Sequence, residues 1–520
     1  MRSSDNLWRL VHLLDKAEAR YFRLFAQLQS GKKKYEYLYD EVSKVKRLEK
    51  YDESLVRERL DSQHKIPAGS FAVTKKYLFD TLLKSLRLLH EDKSIENRIR
   101  RLYDDASLLF NRGITDKSLE YTREAKKLAE KYERFAILTD LINLELQHEF
   151  LSLKPAHSPF AQFEALYRQK EIALEKLAQE IEAHKLRDQA YVLYRTRNTQ
   201  QGKAHEQHIQ ELKNKAFLQQ PGKFRSFRSE LYYHHAWALI YTVENTNLDL
   251  VFYHSQKTLE VWDKYPLFQE EYPRLYKVNL FAYLGTCHLY QRYTGFEATL
   301  KAARNLKSRT VLERASDFLD ISNYQLLFLL NTNRHEEALK LARKLEEKIA
   351  DYNRRKYPIR KEKLITLYYN ISILLFVTEK YDEALNWIHK NRKVVRKTMT
   401  RLDIQYFTRI LQLLIFFEKG ENDQLDYKEP YVKKLLKNDD MLSAFDETVL
   451  SHLRKLNKSV NTGEEREIYQ GLLSDIGSSE EKFKKVRGRE EVKIWAKSKL
   501  ENRKMAEILW EENQAAMAKA

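Results

Sequence analysis

The chain has 520 residues, among them only 12 Gly, 8 Pro and one Cys. So few turn residues exclude a many-stranded β protein, which needs Gly, Asn or Pro at its hairpins. The single thiol, Cys287, excludes an internal disulfide and a cysteine-based zinc site. The formal charge of +18, from 93 basic against 75 acidic residues, admits an anionic partner without requiring one.

Hydrophobic residues make up 43% of the chain. Leu, Lys, Glu, Ala, Arg and Tyr dominate, and most are good helix formers, so the fold class expected is all-α. The length allows two to four domains or one elongated array. The N-terminal MRSSDNLWRLVHLLDKAEAR mixes charges into its apolar residues, unlike a signal peptide. The most apolar run, ILQLLIFFEKG, breaks into charges well before the roughly 20 residues a membrane span needs. The expectation is a cytoplasmic protein with no membrane span.

In chain order, residues 1–96 read as an N-terminal helical cap, with two helices in 1–65 and a break at IPAGS (66–70). Residues 97–150 hold a first helical hairpin, with Ala106, a turn at Gly113, and Ser118-Leu119 at the start of the second helix. LSLKPAHSP then interrupts the chain. Residues 151–226 form an insert whose stretch 160–220 lacks Pro; it reads as a long charged helix, bent or reversed around NTQQGK (198–203), acting as a spacer or coiled-coil-like element.

Residues 227–460 carry the repeats. NTNRHEEALKLARKLEEK and TEKYDEALNWIHKNRK share one phrase: a turn-like stretch, an acidic pair, Ala-Leu, then a helical run, anchored at Ala338 and Ala384. Twelve residues before each anchor lie Leu326 and Ser372, inside the apolar runs YQLLFLL and YYNISILLF. Each unit is therefore helix, short polar turn, helix. Acidic residues suit the positive end of the second helix, and the small Ala suits a close crossing. The layout recurs around Ala238 and Tyr241, around Gly285 with its turn at Thr294-Gly295, and around Gly420. Residues 461–520 read as a linker, with a flexible break at SDIGSSEE (474–481), followed by a basic C-terminal helix over 481–512.

These phrases resemble the tetratricopeptide repeat (TPR): a small residue in the first helix, an aromatic or Leu three on, and a small residue in the second helix. Ala238/Tyr241 and Ala338/Ala384 carry the likeness best, over about 97–136 and 228–435. Anchors at Gly285, Leu326 and Ser372 are 41 and 46 residues apart, against about 34 in the family, so the likeness is to a TPR-like unit of greater length. The phrases LYYHHAWALIY, LYYNISILLF, SHLRKL and WAKSKL also make the chain similar to a group of uncharacterised long bacterial TPR-like proteins. The resemblance implies a helical-hairpin solenoid, or superhelix, with the long insert and the C-terminal helix added to it. One hairpin cannot bury its apolar stripe alone, so stacked neighbours share a core and present an extended binding surface.

No signature of catalysis accompanies the repeats. There is no G-x-x-x-x-G-K-[ST] and no G-x-G-x-x-G. HEQH (205–208) spaces its histidines at i and i+3 rather than i and i+4, so a solvated helix face explains it. His234 and His235 point about 100° apart on a helix, which disfavours a shared metal. Cys287 reads as a small apolar filler. The 32 Tyr, 24 Phe and 6 Trp mostly fall at helical spacing and read as seam fillers, with base stacking or peptide gripping the alternative. No catalytic residue, cofactor or metal is expected.

Two basic clusters stand out: NRRKYPIRKEK, with Arg354, Arg355, Lys356, Arg360 and Lys361, and KNRKVVRKTMTR, with Arg392, Lys393, Arg396 and Lys397. Both fall where a second helix passes to the next unit, on one edge of the repeats. They are the candidate anion-binding edge. The competing reading is a favourable helix C-terminal charge, worth roughly 0.3–1 kcal/mol per residue. The candidate groove residues are Tyr241, Asn323 and Asn370, on first helices. Some TPR domains hold a peptide carboxyl terminus with Lys and Asn on such helices; the Lys positions do not match here, so that activity is not carried over. The function expected is non-enzymatic binding of a macromolecule, with a protein partner in the concave groove and a scaffold or adaptor role. Nucleic-acid binding along the basic edge and a ligand- or partner-gated regulator are the alternatives.

Overall fold

The computed structural model describes residues 5–27, 33–46, 50–90, 94–152, 160–196, 203–244, 247–308, 310–354, 359–395, 401–438, 442–478 and 486–519. Among them are 25 α-helices and no strand. The chain divides into two compact units: residues 1–182 with 224–229, and residues 183–223 with 230–520.

In the first unit, α1 (Asp5–Leu13), α2 (Lys16–Ala26), α3 (Lys34–Lys44), α4 (Glu53–His64) and α5 (Phe71–Leu89) enclose one apolar core. The two helices expected in 1–65 are thus four short ones. Asp15 explains one of the added boundaries: its carboxylate caps α2 by accepting from Glu18 N–H, and Glu18 accepts from Asp15 N–H, both at 2.8 Å. IPAGS does end a helix, forming a 3-10 turn at Ala68–Ser70 after Lys65, which has φ 52°.

A second core joins α6 (Ile95–Asn111), α7 (Thr115–Lys131), α8 (Phe135–Leu151) and the start of α9 (Phe160–Thr196). The expected small residues lie at the crossing of α6 and α7. Ala106 and Ser118 are both fully buried, and the Ser118 hydroxyl donates to Ala106 O at 2.7 Å.

The second unit adds α10 (Lys203–Lys213), α11 (Phe227–Glu244), α12 (Leu248–Lys264), α13 (Pro266–Glu271), α14 (Pro273–Leu289), α15 (Phe296–Asn305), α16 (Val311–Asn331) and α17 (His335–Arg354). It continues with α18 (Lys361–Val377), α19 (Tyr381–Val395), α20 (Leu402–Glu418), α21 (Asn422–Asn438), α22 (Ala444–Leu456) and α23 (Thr462–Ser478). It closes with α24 (Arg489–Glu501) and α25 (Met505–Lys519). Two expectations change here. SDIGSSEE is helical through Ser478, as the end of α23. The basic C-terminal helix is two helices of mixed charge, divided at Asn502, whose φ is 52°.

The architecture is repeat-like, and one turn makes it so. A three-residue connection with its middle residue left-handed joins α6 to α7, α7 to α8, α16 to α17, α18 to α19 and α20 to α21. The middle residues are Gly113, Glu133, Asn333, Glu379 and Gly420, with φ of 77°, 50°, 58°, 60° and 68°. In each, the next N–H reaches back five residues to a helix carbonyl: Arg334 to Leu329 at 2.9 Å, Lys380 to Leu375 at 2.8 Å and Glu421 to Phe416 at 2.9 Å. This bond satisfies a carbonyl the helix end leaves open and fixes the angle at which the chain reverses.

In the second unit the first helices α14, α16, α18 and α20 pack side by side, and each also packs on its own second helix, α15, α17, α19 or α21. Ala338 and Ala384, the anchors of the repeated phrase, are fully buried at those crossings.

Candidate binding groove

The row of first helices is stitched by polar bridges. Lys277 on α14 donates to Glu313 at 2.6 Å and to Asp317 at 2.9 Å, both on α16. Lys363 on α18 donates to Ser316 at 2.6 Å and pairs with Asp320, again on α16. Two turns further along, Asn370 Nδ2 donates to Asn323 Oδ1 at 2.6 Å. Partly buried pairs of this kind give little net stability, because desolvation opposes the attraction; fixing the register of neighbouring helices is their better-attested use.

Ordinary repeat helices have one polar side, but α18 does not: residues 367–377 are all buried. In α20, residues 410–416 are likewise all buried. A helix that is apolar all round needs cover on every side. One side of α18 is covered by α19, its flanks by α16 and α20. The chain's own C-terminal hairpin supplies further cover.

Trp495 of α24 is fully buried, with its ring at 6.1 Å from Phe417 of α20 and 5.4 Å from Tyr469 of α23, edge-on to both. Its indole N–H donates to Glu418 Oε1 at 2.7 Å. Lys499 Nζ and the Tyr381 hydroxyl donate to Glu418 Oε2 at 2.5 Å and 3.1 Å. The Glu418 side chain is 5% exposed, so one desolvated carboxylate at the end of α20 receives three donors, two of them from the hairpin. Burial, and next the Glu418 charge, push the Tyr381 hydroxyl far above the ordinary tyrosine range, so it stays a donor.

A second anchor lies on α18. The Tyr369 hydroxyl donates to Glu491 at 2.9 Å, and the Arg487 guanidinium lies 5.6 Å from the Tyr369 ring centre. Arg487 also pairs with Asp403 at 3.4 Å. A third contact reaches α16, where Asn513 of α25 donates to Asn331 O at 3.3 Å. Gly488 marks where the hairpin enters. Its φ is 92°, and a Cβ there would fall 1.8 Å from Phe407 Cε2, so only glycine lets the backbone approach α20 this closely.

The hairpin thus touches three successive first helices. Local sequence patterns do not signal these partners, which lie 77, 122 and 182 residues apart along the chain. Sequence reasoning missed Glu418, Trp495, Glu491 and Arg487 for that reason. The missing polar side of α18 was the available signal.

Of the candidate groove residues, the structure brings Asn323 and Asn370 together and sets Tyr241 in a different cluster. Tyr241 of α11 stacks on Trp237 at 5.1 Å and on His254 of α12 at 5.8 Å. His254 and His234 meet Nδ1 to Nδ1 at 3.0 Å, so one ring donates and the other accepts. Burial lowers His234 to about 4, with Lys257 and Lys264 adding to it, and burial and then His234 lower His254 to about 3. Both rings are therefore neutral near pH 7. Cys287 is buried, and burial raises its thiol to about 12, which keeps it protonated.

Along the candidate anion-binding edge, Arg355, Lys356, Arg396 and Lys397 lie outside the described residues. Arg354 pairs with Asp351 at 3.1 Å, Arg360 approaches Glu362 at 3.9 Å, and Arg392 donates to Gln412 at 3.3 Å. Lys361 and Lys393 are exposed. Among the described residues no cluster of three or more His, Cys, Asp or Glu side chains could hold a metal ion. Nor, among them, is any helix long and apolar enough to cross a membrane.

In the first unit, α6 and α8 form a hollow of about 340 Å³, lined by Tyr103, Ser107, Asn111, Asp140, Asn143 and Gln147 among others.

Comparison with models of protein families, with curated proteins and with solved structures finds no match to this chain.

Proposed function

We propose that the chain is a non-enzymatic, TPR-like α-solenoid that binds protein partners on the face made by its first helices, as a scaffold or adaptor. The observation that carries this reading is the seat of α24. The surface of α20 and α23 accepts α24 by burying one aromatic anchor, Trp495, against Phe417 and Tyr469, and by giving its indole N–H and the Lys499 ammonium a single desolvated carboxylate, Glu418, while Glu491 of α24 accepts from Tyr369 of α18. Laying a helix into an apolar groove with one anchored aromatic is a recurrent mode of protein recognition, and buried Trp side chains dominate the energetics of such contacts. The recurring left-handed turn and the buried Ala338 and Ala384 support the TPR-like description.

The same observation favours a gated form of this function. The helix seated against α20 and α23 and tied to α18 belongs to the chain itself, so a partner using that seat has to displace it. Binding is then coupled to release of the hairpin, and the coupling is limited by the hairpin's own binding free energy.

The test is capture from a cell lysate by the native chain and by a Trp495→Ala chain, with and without nuclease, at low and moderate salt. The reading expects a discrete protein that survives nuclease and salt and is recovered in larger amount by the variant. Recovery of nucleic acid alone, lost on raising salt or adding nuclease, would replace it with binding along the basic edge.

A further inference from the structure

The first unit carries an apolar stripe that its own core leaves uncovered. On α9, Leu166 and Ala173 are buried in the core shared with α6, α7 and α8, and Phe163 and Leu177 pack against it. Next to that packed face run Phe160, Tyr167, Leu174 and Ile181, which are 75%, 49%, 46% and 60% exposed. They recur every seven residues, the period at which one helix face keeps meeting a second helix that winds around it. Scattered exposed apolar residues need no explanation; four on one line over three heptads do.

The flank of the stripe states what kind of helix fits. At about 100° per residue, Glu164, Glu171, Glu175 and Glu182 fall roughly 60–100° from the Leu174 direction, all on the side away from the packed core. All four residues are exposed, and Glu175 pairs with Arg225. The stripe is thus bordered by packed core on one side and by an acidic row on the other.

A second copy of the chain does not suit this border. Two antiparallel copies related by a two-fold axis set the same flank of each helix opposite itself, so the Glu row faces a Glu row. Two parallel copies bring the acidic row against the other flank, which the core of this unit already covers. Like charges at such spacing disfavour pairing, and opposite charges favour it.

We propose that the Phe160–Tyr167–Leu174–Ile181 face of α9 is a docking surface for a basic amphipathic helix of another protein, with an apolar heptad seam and Lys or Arg along the flank that meets the Glu row. This site is separate from the first-helix face of the second unit and does not rest on the function proposed for it.

The experiment uses the full chain and two labelled helical peptides of about 28 residues, four heptads with Leu along the seam. One carries Lys at the flanking positions and the other Glu, and binding is followed by fluorescence anisotropy. Two variants change exposed side chains only: Leu174→Ser with Ile181→Ser, and Glu164→Lys with Glu171→Lys and Glu182→Lys. Circular dichroism melting checks that both fold as the native chain does.

The native chain is expected to bind the Lys peptide about tenfold or more tightly than the Glu peptide. The serine pair should lose that binding by about tenfold, and the lysine triple should reverse the preference. Equal affinity for the two peptides, or Lys-peptide binding untouched by the serine pair, would overturn the proposal. So would a native dimer in light scattering that the serine pair converts to monomer, since the occupant would then be a second copy.

Discussion

Replacing Trp495 separates the two contributions that seat the C-terminal hairpin. Trp495→Ala removes a fully buried ring packed against Phe417 and Tyr469, and such truncations cost about 3–5 kcal/mol. Trp495→Phe keeps most of the ring contact but removes the N–H that Glu418 accepts at 2.7 Å. A buried carboxylate deprived of one donor costs roughly 1–3 kcal/mol, and the lower half of that range applies because Lys499 and Tyr381 remain on Glu418. The predicted order is therefore Ala well below Phe, and Phe below native. Native-state hydrogen exchange read over 489–501 measures it, since a released hairpin exposes those amides without unfolding the rest. The first unit serves as an internal reference and should not change. A loss under about 1 kcal/mol for Trp495→Ala, or equal losses in α24 and in α6–α8, would refute the reasoning.

Three further predictions probe the repeats and the histidine pair. Asn370→Ala leaves Asn323 without its partner and should cost about 1–2 kcal/mol in urea unfolding, while Asn323→Leu combined with Asn370→Leu should recover most of it; additive losses would show that the two do not act as a pair. Glu379 holds φ 60° in an exposed turn, so Glu379→Gly should stabilise the second unit by about 1 kcal/mol, read as a shift of the urea midpoint; a loss would mean the side chain matters more than the backbone. The folded chain keeps His234 and His254 neutral down to about 4 and about 3, against about 6.5 unfolded, so the unfolded state binds the extra protons as pH falls. Their contribution is complete above pH about 6.5 and is lost toward pH 4, by about 2 kcal/mol for each histidine at pH 5. Unfolding at pH 7.5 and 5.0 should show a steeper loss for the native chain than for the His234→Phe/His254→Phe chain; equal slopes would contradict the pair's role.

How much of this was legible in the sequence varied with the range of the interaction. The helical hairpins were, because their signals are local: acidic residues at a second helix's start, a small residue at the crossing, a turn between. Ala338, Ala384 and Ser118 are buried where those signals set them. The shared left-handed turn was half visible. Gly113 and Gly420 announce it, whereas Glu133 and Glu379 adopt the same conformation with no residue preference to reveal it. The N-terminal helices outnumber those the sequence suggests because the cap at Asp15 lies inside a continuous charged stretch with no Gly or Pro to mark it. The seat of α24 depends on pairs such as Tyr369 with Glu491, which no periodicity connects. Its trace in the sequence is an excess: α18 carries more apolar residues than one hairpin can cover.

The central claim is that the face of α16, α18 and α20 is a helix-binding groove whose occupant is the chain's own C-terminal hairpin. The most direct measurement adds a peptide of residues 489–519 to a chain ending at residue 478 and follows binding by calorimetry. The account predicts a shortened chain that keeps its helical signal and binds the peptide saturably, with a Trp495→Ala peptide weaker by about 100-fold or more. A shortened chain that unfolds, or that stays folded and ignores the peptide, would contradict it.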